Sequence, residues 1–237
     1  MNDSAPVLAI ENIHTFIGQF HILEGASVAV QQGGITVLLG RNGAGKTTTL
    51  KSVMGITPPS QGSIHFRGEP LAGKPSNVIA QMGIGYVPEH RAIFRELTVK
   101  ENLQIAERKR GDLARRGDLI FDLFPDLKRL YGLPGGNLSG GQQQMLAMAR
   151  ALVPENHLLL IDEPSEGLAP VIIEQLMRAI TRLTDHASVL LVEQNFRVAS
   201  RLANDYVIVD EGQSVASGLI ANLVNDDALI QRYLGVA

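Results

Sequence analysis

The stretch "LLGRNGAGKTTTL", residues 38–50, constrains the fold more than any other part of the chain, because it sets Gly40, Gly43, Gly45 and Lys46 directly behind an apolar run. The preceding "GITVLLG" is continuously apolar, as expected of a strand buried on both faces. The following "GKTTTLKSVMG" has a helical pattern. Gly40 to Thr47 thus fits G-x-x-x-x-G-K-[ST] in the strand–loop–helix setting that the pattern requires. Glycine lets the backbone turn so that successive N–H groups point inward at a phosphate, and the helix N-terminus adds its positive end. Gly40, Asn42, Gly43, Ala44, Gly45, Lys46, Thr47 and Thr48 are the expected cradle, with Lys46 reaching β- and γ-phosphates and Thr47 coordinating Mg²⁺.

Continuous apolar runs recur in "HLLLID" (157–162) and "ASVLLVE" (187–193), with helix-patterned segments between them. That alternation predicts an α/β fold with a parallel sheet and crossover helices. "PVLAIENIHTFIG" and "HILEGASVAV" alternate apolar and polar residues around Gly18 and predict paired antiparallel strands at one sheet edge, so the sheet core is expected to be mixed. From about residue 88 to 155 the texture is helical, in "TVKENLQIAERKR", "GDLIFDLF" and "SGGQQQMLAMARAL". This reads as a helical lobe inserted into the α/β core of one domain spanning 1–237. "DYVIVDEGQSVASG" reads as a hairpin, and "LIANLVNDDALIQRYL" as short closing helices.

With 237 residues, 45% of them hydrophobic, the chain can bury a full core. A formal charge of −3 provides no global attraction for nucleic acid or an anionic membrane, so any anion must be held locally. The lack of cysteine excludes disulfides, thiolate metal sites and Cys nucleophiles, and suits a reducing compartment. "MNDSAPVLAI" lacks a basic region followed by a long apolar segment, which argues against a secretory leader. No apolar run approaches the roughly 18 residues needed to cross a bilayer. A soluble protein, or one held peripherally by a partner, is expected. The six histidines (14, 21, 65, 90, 157, 186) show no H-x-x-x-H pairing and are expected on the surface or in the core rather than around a metal.

"HLLLIDEPSEGLAP" puts Asp162 and Glu163 at the C-terminal end of a buried strand, where open α/β sheets gather their ligands. Asp162 suits the Mg²⁺ shell, and Glu163 suits a base that polarises water for attack on a γ-phosphate. A second helix start follows the same logic: in "NLSGGQQQMLAMARAL" Ser139 is a good N-cap and two glycines follow, leaving amides suited to an anion.

The sequence LSGGQ at Leu138–Gln142, with the glycine loop upstream and the Asp-Glu strand downstream, resembles the nucleotide-binding subunit of an ABC transporter over essentially the whole chain. The resemblance implies a P-loop NTPase of ABC type that binds ATP and Mg²⁺ and hydrolyses ATP. It further implies that two such domains pair head to tail, each ATP lying between one chain's glycine loop and the other's Ser139, Gly140, Gly141 and Gln142. "GIGYVPEHRAIFRELTVKENL" is similar to the segment that couples nucleotide to the helical lobe, with Glu89 in place of the usual Gln, and a carboxylate there can ligate Mg²⁺ or hold a water. The adenine-stacking aromatic normally precedes the glycine of "FIG"; Ile17 stands there, with Phe16 next to it, and since Ile can cover a base by apolar contact but has no π face, Phe16 is put forward as the residue at the adenine, with core packing its alternative. Gln194 in "LLVEQN" occupies the switch position usually held by His and is expected to act in catalysis with Glu163 and Lys46. Ala169 stands where an Asp is common in the loop that crosses to the opposite site.

As a set, "VPEHR", "EPSEGLAP" and "VEQN" resemble one of the two ATPase subunits of branched-chain amino acid and related polar amino acid or urea importers. That resemblance implies a heterodimer with a second ATPase subunit. It also implies two polytopic membrane subunits, an indirect link to a solute-binding protein, and a peripheral position on the cytoplasmic face of the inner or plasma membrane. The alternative within the family is the ATPase of a lipid or polysaccharide export system, against which Gln194 and Ala169 argue. A non-transport member acting on ribosomes or DNA would call for tandem cassettes, a long coiled-coil insertion or basic arms. None is displayed here, and no nucleic-acid partner is expected.

Overall fold

The computed structural model describes residues 5–235; the argument against a leader rests partly on residues 1–4, which lie outside it. The chain opens with β1 (Leu8–Ile17) and β2 (Phe20–Val30), joined through Gly18 at φ 60. The buried β3 (Ile35–Leu39) runs into the glycine loop and α1 (Lys46–Val53). Then come β4 (Gln61–Phe66), β5 (Glu69–Pro70), α2 (Ser76–Gln81) and β6 (Ile84–Val87). A helical stretch follows: α3 (Val99–Gln104), α4 (Asp112–Leu123), α5 (Pro125–Arg129), a 3₁₀ turn at Gly135–Asn137, and α6 (Gly140–Leu152). The chain closes with β7 (Leu158–Asp162), α7 (Pro170–Leu183), β8 (Ser188–Val192), α8 (Phe196–Leu202), β9 (Asp205–Asp210), β10 (Gln213–Leu219), α9 (Ile220–Leu223) and α10 (Asp227–Leu234).

Two sheets result. The six-stranded one has the order β10-β9-β3-β8-β7-β6, parallel throughout except for β10, which forms the antiparallel edge. Its central strands are buried end to end, and alternate side chains enter different cores. Val37, Leu39, Leu159, Ile161, Val189 and Leu191 pack with the buried faces of α6 and α7. Leu38, Leu158, Leu160, Leu190 and Val192 pack against α1 and the second sheet. That second sheet is antiparallel, in the order β2-β1-β4-β5. The strands around Gly18 do pair with each other, but in this separate layer rather than on the edge of the parallel sheet, because their apolar face covers that sheet's flank.

Three short strands, β4, β5 and β6, fall in a region that the sequence left without elements. β6 follows Gly83 and carries the apolar "IGYV", a signal too short to separate from a loop by periodicity alone. The helix expected over "TVKENLQIAERKR" stops at Gln104, since Asp112 Oδ2 accepts from the Arg108 and Lys109 N–H groups at 3.0 and 2.8 Å and turns the chain. The helix expected from Gly117 starts five residues earlier, at Asp112.

The arrangement has one consequence for function. β3, β8, β7 and β6 are consecutive neighbours, so their C-terminal ends bring together the glycine loop, Gln194, the Asp162–Glu163 pair and Glu89.

Candidate functional site

The glycine loop leaves β3 through Gly40, whose φ of 147° and close approach to β9 both demand glycine: an added Cβ would stand 2.1 Å from the Val209 carbonyl oxygen. Lys46, at the first turn of α1, is buried, and its Nζ donates to the carbonyls of Gly40 and Arg41 at 2.9 and 3.1 Å. Its third neighbour is Glu163 Oε1 at 3.5 Å. Asn42, Gly43, Gly45, Lys46, Thr47 and Thr48 line an open cleft of about 370 Å³ that Glu89, Glu163 and Gln194 close on the far side. Gly40 and Ala44 are outside its lining and serve the loop's shape.

Asp162 is fully buried at the end of β7, and its Oδ1 accepts from the Thr47 hydroxyl at 3.1 Å while Oδ2 accepts from the Tyr86 hydroxyl at 3.4 Å. Burial pushes its carboxyl up to about 6, with the charges of Glu163 and Glu89 adding to the shift and the Thr47 and Tyr86 hydroxyls opposing it. Among the described residues there is no cluster of three or more His, Cys, Asp or Glu side chains arranged for a metal ion. The oxygens of Thr47 and Asp162, with Glu89 in the same cleft, are nonetheless hard donors. Two or three of them suit Mg²⁺, which keeps several waters and takes phosphate oxygens besides. The donor set therefore fits that ion.

Glu163 adopts φ 45, in the left-handed region, and its N–H donates to Val192 O at 2.9 Å across from β8. Gln194 Nε2 donates to both of its carboxylate oxygens, at 2.8 and 2.6 Å. Glu163 thus has an amide on one side and the Lys46 ammonium on the other, a charge-assisted setting that holds it at the mouth of the loop. Sequence reasoning missed three groups here: Tyr86 on Asp162, Glu166 in the cleft lining, and the buried Glu193 just before Gln194. None has a signal in the sequence, where Glu193 reads as an ordinary charged residue.

At the β1–β2 end, Ile17 and Ile22 line the cleft, whereas the Phe16 ring lies flat on His21, centroids 4.2 Å apart. The aromatic put forward for the adenine is therefore turned to a neighbour across the β1–β2 pair, and the aliphatic Ile17 holds the position facing the loop. His14 and His21 meet there as well, with their ring nitrogens 3.2 Å apart.

Ser139, Gly140, Gly141 and Gln142 do not line the cleft. Ser139 caps α6 through a capping box, its Oγ accepting from Gln142 N at 3.3 Å and its N–H donating to Gln142 Oε1 at 2.9 Å. Gly141 is packed on α7, where an added Cβ would lie 2.8 Å from Ile172. Ala169 is the N-cap of α7 without a side-chain acceptor, and Pro170 opens the helix.

A glycine loop between a buried strand and a helix, an acidic pair at the end of a neighbouring strand, and a helical stretch ending in a capped LSGGQ helix define a P-loop NTPase of the ABC type. The family model described as ABC transporter matches residues 23–166, and the chain belongs to that family, whose members hydrolyse ATP. It is 40% identical to the high-affinity branched-chain amino acid transport ATP-binding protein BraG of Pseudomonas aeruginosa, over 97% of this chain and all of that one. It is 33% identical to the lipopolysaccharide export system ATP-binding protein LptB of Haemophilus influenzae, over 97% of each chain. Among solved structures, the ATP-binding subunit of an ABC transporter superposes with a TM-score of 0.81 at 28% identity, covering 94% of both chains. The protein is an ABC transporter ATPase subunit, and among the described residues no helix is long and apolar enough to cross a membrane.

Proposed function

We propose that this ATPase powers an importer of branched-chain or other amino acids, or of related small polar solutes. The observation that carries the direction is the greater identity, 40% against 33%, to a branched-chain amino acid transport protein than to a lipopolysaccharide export protein. The contact of Gln194 with both oxygens of Glu163, the carboxylate suited to activate water, supports the hydrolysis that would power it.

In this reading Lys46 holds the β- and γ-phosphates of ATP, and the α1 N-terminus with the loop amides receives the rest of the triphosphate. Thr47 and Asp162, with Glu89 alongside, hold Mg²⁺, which supplies charge neutralisation on the phosphate oxygens. A γ-phosphate competes with Glu163 for the Lys46 ammonium, which frees the carboxylate to accept a proton from water. Water oxygen bonds to the γ-phosphorus, the bond to the β–γ bridging oxygen breaks, and ADP and phosphate leave. Gln194 keeps the carboxylate aimed throughout. Phe16 and Ile17 both stand on the base side, with Ile17 the group in contact with the base. Ser139, Gly140, Gly141 and Gln142 complete the site of a second ATPase subunit, and residues 88–155 form the lobe that passes the motion to two polytopic membrane subunits. The subunit then sits peripherally on the cytoplasmic face, fed indirectly by a solute-binding protein.

Reconstitution of the chain with the membrane proteins, second ATPase and solute-binding protein encoded beside it tests this. Labelled branched-chain amino acid uptake is expected, with Glu163→Gln binding ATP normally and hydrolysing it about a hundred-fold or more slowly. The exporter reading rests on the 33% identity to a lipopolysaccharide export protein. Stimulation by lipopolysaccharide and not by a loaded binding protein would establish it instead.

A further inference from the structure

We propose that Glu193 is a positioning residue, which holds Gln194 against Glu163 through the backbone rather than by touching substrate. The inference rests on the catalytic reading of Glu163 and Gln194 given above. Glu193 follows the last residue of β8 and is 2% exposed, an unusual place for a carboxylate. Its Oε1 accepts from the N–H of Gln194 and from the N–H of Asn195, each at 3.0 Å. Asn195 is the N-cap of α8, and its side chain accepts from Arg197 N and Val198 N at 3.1 and 3.3 Å. Two successive amides are therefore gathered on one buried oxygen, immediately before a helix that is itself pinned.

The geometry leaves Gln194 little freedom. Its backbone is held by Glu193, the next residue is committed to α8, and its side chain spans to Glu163 with both donor contacts under 3 Å. Without the Glu193 acceptor, two N–H groups at a buried strand end lose their partner, and the turn is free to take other φ/ψ values. The Gln194 amide would then be aimed at Glu163 only part of the time. Burial, with the nearby Glu163 charge adding to it, holds the Glu193 carboxyl above its ordinary range, against the Asn195 N–H, the Ser165 hydroxyl and the Gln194 N–H that lower it. The function asked of it is acceptance of hydrogen bonds by one oxygen, which a neutral amide carbonyl also performs.

Steady-state hydrolysis by the full chain, with separate kcat and KM, tests the inference in Glu193→Ala, Glu193→Gln, Gln194→Ala and the Glu193→Ala/Gln194→Ala pair. Expected results are a fall in kcat of about ten-fold for Glu193→Ala with KM held within about two-fold, recovery of kcat in Glu193→Gln, and no additional loss when Glu193→Ala is added to Gln194→Ala. A slow Gln194→Ala beside a Glu193→Ala of native kcat overturns the positioning role alone. So does an additive double variant, or a Glu193→Gln as slow as Glu193→Ala. Native kcat in Gln194→Ala overturns the catalytic reading of Gln194, and this inference with it.

Discussion

Asp162 shows how one residue's burial sets a measurable property of the whole chain. Its carboxyl titrates near 6, above its ordinary 3.8, because burial disfavours the charge more than the Thr47 and Tyr86 hydroxyls favour it. A folded-state value raised in this way means that the group's stabilising contribution is complete below about pH 4 and is lost as the pH rises through 6. Asp162→Asn keeps an acceptor for Thr47 and removes the ionisation. The variant is expected to be more stable than the parent at pH 7–8, by at most roughly 3 kcal/mol, and so to unfold at a higher temperature, with the difference closing toward pH 4. Thermal unfolding across that range, without nucleotide, measures it; a gap that does not change with pH would show that the Asp162 charge is not the cause. The same residue is the proposed Mg²⁺ ligand, so the variant gains stability where it loses function, a trade common at active sites.

At the scale of single elements, one buried side chain makes four hydrogen bonds to the segment between β6 and α3. Asn102, on α3, accepts from Phe94 N at 2.9 Å and donates to the carbonyls of Phe94, Leu97 and Thr98 at 2.8, 3.0 and 3.0 Å. Thr98 and Glu101 close the helix start with a capping box. The loop that begins at Glu89 is thereby tied to α3 by polar contacts, alongside Ile93, which packs on the core, and the Gly135 and Gly136 N–H groups, which donate to Leu97 O and Arg95 O at 2.8 Å. Asn102→Ala strips several buried groups of their partner at once and is expected to cost about 2–4 kcal/mol in chemical denaturation. Loss of under about 0.5 kcal/mol would mean that water replaces the amide freely.

For the molecule as a whole, the cleft at the glycine loop and the LSGGQ helix start are separate: none of Ser139, Gly140, Gly141 and Gln142 lines that cleft. A composite site built from two chains requires hydrolysis per molecule to rise with protein concentration. Gly140 offers a cleaner test than Gly141, which is packed on Ile172, since Gly140 is exposed and an added side chain meets only the Arg91 guanidinium. Gly140→Asp is expected to melt within a few degrees of the parent and to bind ATP at its own loop equally well. If the site is composite, hydrolysis should fall about ten-fold or more, because a carboxylate is set where the other chain's nucleotide phosphate would dock. Unchanged hydrolysis at all concentrations would remove the two-chain site.

The local features were legible in the sequence because their causes are local. Gly40 to Thr47 specify a loop by the φ angles and amides they allow, "HLLLID" and "ASVLLVE" specify strands buried on both faces, and Ser139 followed by two glycines specifies a helix start. The order of the strands is what brings Glu89, Glu163, Gln194 and Lys46 to one cleft, and that order is a matter of contacts between residues far apart in the chain. Tertiary structure alone decided that Tyr86 donates to Asp162, that Phe16 stacks on His21 while Ile17 faces the loop, and that the strands around Gly18 form a second layer. It decided Glu193 most plainly. A glutamate after an apolar run reads as solvent-exposed, and only the burial of the strand end and the two amides converging on it give that carboxylate a place inside.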